Sequence, residues 1–73
     1  MHVENLIKMA NQIGEFFASF PDREEALDGV ATHIRKFWEP RMRSALLAHL
    51  DAAGYGELNG TAADAIRTHR GRL

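Results

Sequence analysis

The chain has 73 residues, no cysteine, and a formal net charge of −1 from nine Lys and Arg against ten Asp and Glu. This length allows one small core, and the absence of thiols excludes a disulfide staple, a thiolate zinc site, iron–sulfur ligation and a thiol nucleophile. The near-neutral balance argues against a dedicated nucleic-acid binder. No segment approaches the roughly 18 apolar residues of a membrane helix, and the first residues lack the basic start and apolar run of a secretion signal, so the expected compartment is the cytoplasm. The charge is unevenly placed: residues 1–34 carry two basic and six acidic groups, residues 35–73 seven basic and four acidic ones. Such a dipolar chain can orient on a partner of mixed charge.

In the first segment Val3, Leu6, Ile7, Ala10, Ile13, Gly14 and Phe17 recur at steps of three and four, which predicts a helix over 3–20 with one buried face. Glu4, Lys8, Gln12, Glu15 and Ser19 fall on the opposite face. Met9, Phe16 and Phe20 widen the apolar stripe beyond what one neighbour covers, and exposed apolar surface of that kind predicts self-association of the isolated chain, with antiparallel pairing of this helix. Asn11 is a poor interior helix residue, because its side chain competes for backbone hydrogen bonds. It is expected either to bond a partner's backbone or to face water, and Gln12 beside it shares both alternatives.

Pro21 ends this helix. Asp22, with Glu25 three residues on, has the pattern of an N-cap with a reciprocal acceptor and opens a second helix over 22–38. Leu27, Val30, Ala31, Ile34, Phe37 and Trp38 form its predicted inner face. Pro40 forces the residue before it out of the helical region and is favoured as a first helical residue. The second helix therefore gives way almost without a loop to a third, over 40–53. Met42, Leu46, His49 or Leu50, and Ala53 form the third stripe, and Gly54 closes it. Phe37, Trp38, Arg41 and Arg43 thus gather at a rigid corner, and Trp and Arg are the residue types that most often anchor protein contacts. Two readings follow: a partner-binding surface, or aromatic rings that simply close the core. Arg41 and Arg43 lie in a first turn, where cations do not favour the helix dipole, which points to carboxylates on a partner.

Thr61 with Asp64 marks a weaker start to a short helix over 61–69, whose only large apolar residue, Ile66, predicts that it borrows a partner surface or frays. Residues 70–73 read as a mobile basic tail. No stretch alternates with period two, so the fold class is all-α, three helices and a short fourth in one domain over 1–73. His2, His33, His49 and His69 show no i, i+4 clasp, the carboxylates are placed as caps and helical ion pairs, and Ser19 and Ser44 have no evident base. No catalytic, cofactor-binding or metal-ligating residue is expected.

The strings Leu6-Ile-Lys-Met-Ala-Asn-Gln-Ile13 and His33-Ile-Arg-Lys-Phe-Trp-Glu-Pro-Arg-Met-Arg43 resemble the delta subunit of the soluble, NAD-dependent, molybdenum-containing formate dehydrogenases. The likeness runs in one register from Asn5 to Leu50 and continues more loosely from Gly54 to Arg70, departing at Tyr55 and at Gly60-Thr61-Ala62-Ala63. It implies a non-catalytic accessory subunit that binds the large catalytic subunit, for stability or for cofactor insertion and assembly. By the same resemblance, the molybdenum cofactor, iron–sulfur clusters, FMN and NAD belong to other subunits of that complex. Asn11, Gln12, Phe37, Trp38, Arg41 and Arg43 are the expected partner-binding residues. The alternative is a free-standing helical regulator or nucleic-acid-binding protein.

Overall fold

The computed structural model describes residues 2–73. Four helices follow one another, α1 (Val3–Phe17), α2 (Arg23–Phe37), α3 (Pro40–Ala53) and α4 (Gly60–His69), and a single 3-10 turn, η1 (Arg70–Arg72), ends the chain. No strand occurs among the described residues.

The stripe predicted for α1 is the one buried: Leu6, Ile7, Ala10 and Gly14 lie inside, with Ile13 and Phe17 packed at the edge of the core. The helix stops at Phe17, short of the expected 3–20, with Ala18 as its C-cap, and Pro21 has no N–H with which to continue the ladder onto the Phe17 carbonyl. The Phe20 N–H instead donates to the Phe17 carbonyl at 3.0 Å, tightening the last turn. The next helix opens as predicted at Asp22, whose carboxylate accepts from the N–H groups of Glu24 (3.0 Å) and Glu25 (3.4 Å). No reciprocal bond from the Glu25 side chain accompanies it among the described residues. The corner contains two extended residues, Trp38 (ψ 139°) and Glu39 (ψ 151°), after which Pro40 starts α3. Gly54 closes α3 at φ 82°, a conformation that costs glycine nothing, and donates its N–H to the Leu50 carbonyl at 2.8 Å.

The start of α4 differs from the expected one. Its cap is Asn59, whose Oδ1 accepts from the Ala62 N–H at 2.9 Å. Thr61 is instead buried, and its hydroxyl accepts from Arg23 at 2.8 Å while Asp64 pairs with the same guanidinium at 2.7 Å. The helix is short, yet Thr61, Ala62, Ala63, Ala65 and Ile66 are all buried, and it packs against both α1 and α2. Small side chains make this possible by letting backbones approach. A Cβ built on Gly14 of α1 meets Ala62 of α4 at 2.9 Å, and between α1 and α2 one built on Gly29 runs into the Phe17 ring. The surface that α4 borrows is therefore the chain's own. Leu46 and Leu50 of α3, which turns onto α1, join Leu6, Ile34 and Ile66 in the core.

Residues 70–73 do not form the mobile tail that their composition suggests. Arg70 pairs with Asp51 (2.8 Å), and Arg72 pairs with Asp28 (2.7 Å) and donates to Thr32 Oγ1 (2.6 Å). Leu73 packs against the core, and its carbonyl accepts from Arg43 Nε at 3.3 Å. Hydrogen bonding to Asp51, with Tyr55 adding to it, raises the Arg70 pKa above its ordinary value. Each exposed pair is weak alone. The tail is held because two arginines find acidic partners on α2 and α3 while Leu73 covers apolar surface.

Candidate functional site

The six residues expected at a partner surface fall into two groups. Trp38 is only 4% exposed and sits in the core cluster with Leu6, Ile34 and Leu46. Arg43, 8% exposed, turns inward on α3, and its Nη1 donates to the carbonyls of Trp38 (2.6 Å) and Arg35 (3.3 Å). A cation placed on the last carbonyls of a helix satisfies acceptors that have no helical partner and favours the helix dipole. Arg43 thus stitches α2 to α3. Asn11 also faces inward, meeting neither of its expected alternatives. Its Oδ1 accepts from the Asn59 N–H (2.7 Å), its Nδ2 donates to the Glu57 carbonyl (3.0 Å), and its own carbonyl accepts from Asn59 Nδ2 (2.8 Å). This seam ties the middle of α1 to the cap of α4.

Gln12, Phe37 and Arg41 face outward. Phe37 is 70% exposed, so it leaves the inner face of α2 on which helical spacing places it. Its ring rests against the His33 imidazole, centroids 4.8 Å apart. Phe16, 65% exposed, meets Phe17 edge-on at 4.9 Å and Phe20 at 6.0 Å. Phe16 lines an apolar groove of about 570 Å³ with Met9, Gln12, Ile13 and Phe17 of α1, closed on the other side by His33 and Trp38 at the end of α2, and Phe37 adjoins it through its contact with His33. The surplus apolar residues Met9 and Phe16, visible in the sequence as excess width of the stripe, are the side chains that form its α1 wall. His33 is the member that sequence reasoning missed; its only signal is the i, i+4 spacing to Phe37.

The polar groups have local partners. The His49 ring bonds Glu57 at 2.7 Å, the Ser19 hydroxyl donates to the Phe16 carbonyl at 3.0 Å, and no buried side-chain nitrogen or oxygen lacks a partner among the described residues. No group of three His, Asp or Glu residues among those described is placed to hold a metal ion. Among the described residues no helix is long and apolar enough to cross a membrane. The exposed feature that stands out is therefore the apolar groove.

A family model described as the NADH-dependent formate dehydrogenase delta subunit, FdsD, matches residues 5–66. The chain belongs to the FdsD family. Comparison with curated proteins and with solved structures finds no match. The FdsD match extends from α1 to Ile66 of α4, so it takes in the groove, the Arg43 corner and the Asn11–Asn59 seam, and ends before the arginine clasp of η1. It makes this chain an accessory delta subunit by family.

Proposed function

We propose that this FdsD-family chain is a non-catalytic component of an NAD-dependent formate dehydrogenase complex that binds the large molybdenum-containing subunit through the α1–α2 groove. It serves the stability of that complex or the insertion of its cofactor. On this reading the molybdenum cofactor, iron–sulfur clusters, FMN and NAD are carried by the other subunits in the cytoplasm. The observation that carries the proposal is one apolar groove walled by the exposed Phe16 and Met9 and by His33, on which the exposed Phe37 rests, while the other large apolar residues among those described are at least partly covered. Burying such a side chain is worth about 2 kcal/mol, and aromatic anchors dominate interfaces.

The test is co-purification of the large subunit with a Phe16→Ala, Phe37→Ala double variant. Both rings lie outside the core, so the variant keeps its helix content. With about 2 kcal/mol lost at each ring, association falls on the order of 10³-fold. Co-purification at wild-type yield removes the groove from the interface. Molybdenum content of the large subunit made without this chain then separates the two roles. A stable, molybdenum-poor subunit indicates cofactor insertion, and a metal-replete but unstable one indicates stabilisation.

A further inference from the structure

Most cations of this chain are committed to partners within it. Arg23 and Arg67 share Asp64, Arg70 holds Asp51, Arg72 holds Asp28, and Arg43 is buried on backbone carbonyls. Lys8, Arg35 and Lys36 have no ion pair among the described residues, and Arg41 reaches only Glu39, at 3.9 Å with both groups open to solvent. Three of these four uncommitted cations belong to the corner that carries the exposed Phe37: Arg35 and Lys36 lie just before it in the chain and Arg41 just after Pro40. Arg35 and Lys36 have a local reason to be there, since cations favour the last turn of a helix. Arg41 has none: it lies in the first turn of α3, which holds no acidic residue, so its charge opposes the helix dipole.

The groove itself has the dimensions of a short helix. From Met9 to Phe17 its α1 wall spans nine residues, roughly 12 Å at 1.5 Å per residue, or about two turns of a guest. An extended segment would need a sheet edge to satisfy its backbone, and no strand is present among the described residues, whereas a helix satisfies its own. Resting on the docking role proposed above, we infer that the occupant is an amphipathic helix of the large subunit. Its apolar residues at i, i+3 or i+4, and i+7 fill the groove between Phe16 and His33 and extend onto Phe37, and its flank carries carboxylates that meet the cations of the corner, Arg35, Lys36 and Arg41.

The test uses the assembled complex. Carbodiimide, which joins an amine to a carboxylate without a spacer, is expected to couple Lys36 to an Asp or Glu of the large subunit within a segment of that helical spacing, as read by mass spectrometry. Lys36→Arg keeps association and loses the cross-link. Combined Arg35→Glu, Lys36→Glu and Arg41→Glu weakens association about tenfold or more at 0.1 M salt, with the difference from wild type narrowing at 1 M. All three side chains are exposed, but Glu at 35 and 36 opposes the α2 dipole, so Lys36→Gln with Arg41→Gln, which adds no anion, is measured beside the triple variant and is expected to weaken association in the same direction with helix content unchanged. Wild-type affinity of this triple variant overturns the acidic flank, and the groove reading survives if Phe16→Ala, Phe37→Ala still dissociates. Wild-type affinity of both variants sinks the groove along with it. A cross-link into a segment lacking helical apolar spacing overturns the helical occupant, and association abolished by nuclease overturns the protein partner in favour of a nucleic acid.

Discussion

Gly14→Ala sets two opposing effects against each other, and the structure decides the sign. In an isolated helix the change is favourable by about 1 kcal/mol, because glycine carries the larger conformational entropy cost. Here the added methyl meets Asn59 Oδ1 at 2.6 Å and both Cβ and N of Ala62 at 2.9 Å. Ordinary contacts between carbon atoms lie at about 3.5–4 Å. None of these neighbours can swing aside cheaply. Ala62 is fully buried backbone and β-carbon, and Asn59 is fixed by its cap on the Ala62 N–H and its two bonds with Asn11. Overpacking of this kind costs roughly 1–3 kcal/mol, and loss of an N-cap about 1 kcal/mol. Subtracting the propensity gain leaves a net destabilisation of about 1–3 kcal/mol, which in a domain of this size lowers Tm by roughly 5–20 °C. Thermal unfolding followed by far-UV circular dichroism reads it directly. Gly60→Ala is the control, since nothing lies within 4 Å of its added methyl and its φ is not positive, and it is expected to stabilise by up to about 1 kcal/mol. A Gly14→Ala chain melting at or above the wild-type temperature would refute close approach of α1 and α4 as the basis of this packing.

Arg43→Met keeps much of the side-chain volume but strands the carbonyls of Trp38 and Arg35 at the corner, costing about 2–4 kcal/mol. Arg43→Lys recovers only part of this, because one ammonium cannot span the carbonyls that the guanidinium fork reaches, and the urea midpoints of the two variants check that order. Trp38, 4% exposed, is expected to emit at short wavelength and resist iodide quenching in the free subunit. Red, readily quenched emission would show that the corner is open before any partner binds.

The helical architecture and the α1 core stripe follow from local rules. Pro21 and Pro40 break the chain, Asp22 caps α2, Gly54 ends α3 with positive φ, and Leu6, Ile7, Ala10 and Gly14 keep their predicted inward positions. The corner was harder to read because helical spacing cannot be extrapolated past the end of a helix. Phe37 is the last helical residue of α2 and stands at the edge of its inner face. Trp38 already has extended backbone, so its ring swings into the core that the helical wheel assigns to both residues. Of the six residues expected at a partner surface, Gln12, Phe37 and Arg41 are open, while Asn11, Trp38 and Arg43 are engaged within the chain.

Sequence alone determined that this is an all-helical chain with surplus apolar width on its first helix, because propensity, caps and periodicity act over a few residues. It also carried enough of the Phe-Trp-Glu-Pro-Arg-Met-Arg string to point to the family that the match over residues 5–66 establishes. Tertiary structure decided which of those residues remain available. The buried acceptors at the end of α2 draw Arg43 inward, the Asn59 N–H and the Glu57 carbonyl take the oxygen and nitrogen of the Asn11 side-chain amide, and acidic residues on α2 and α3 hold the final arginines. These partners lie up to 48 positions away in the chain. Their pairing depends on how helices stack, and stacking is governed by shape at Gly14, Gly29 and the alanines of α4, where the deciding quantity is space for a methyl group.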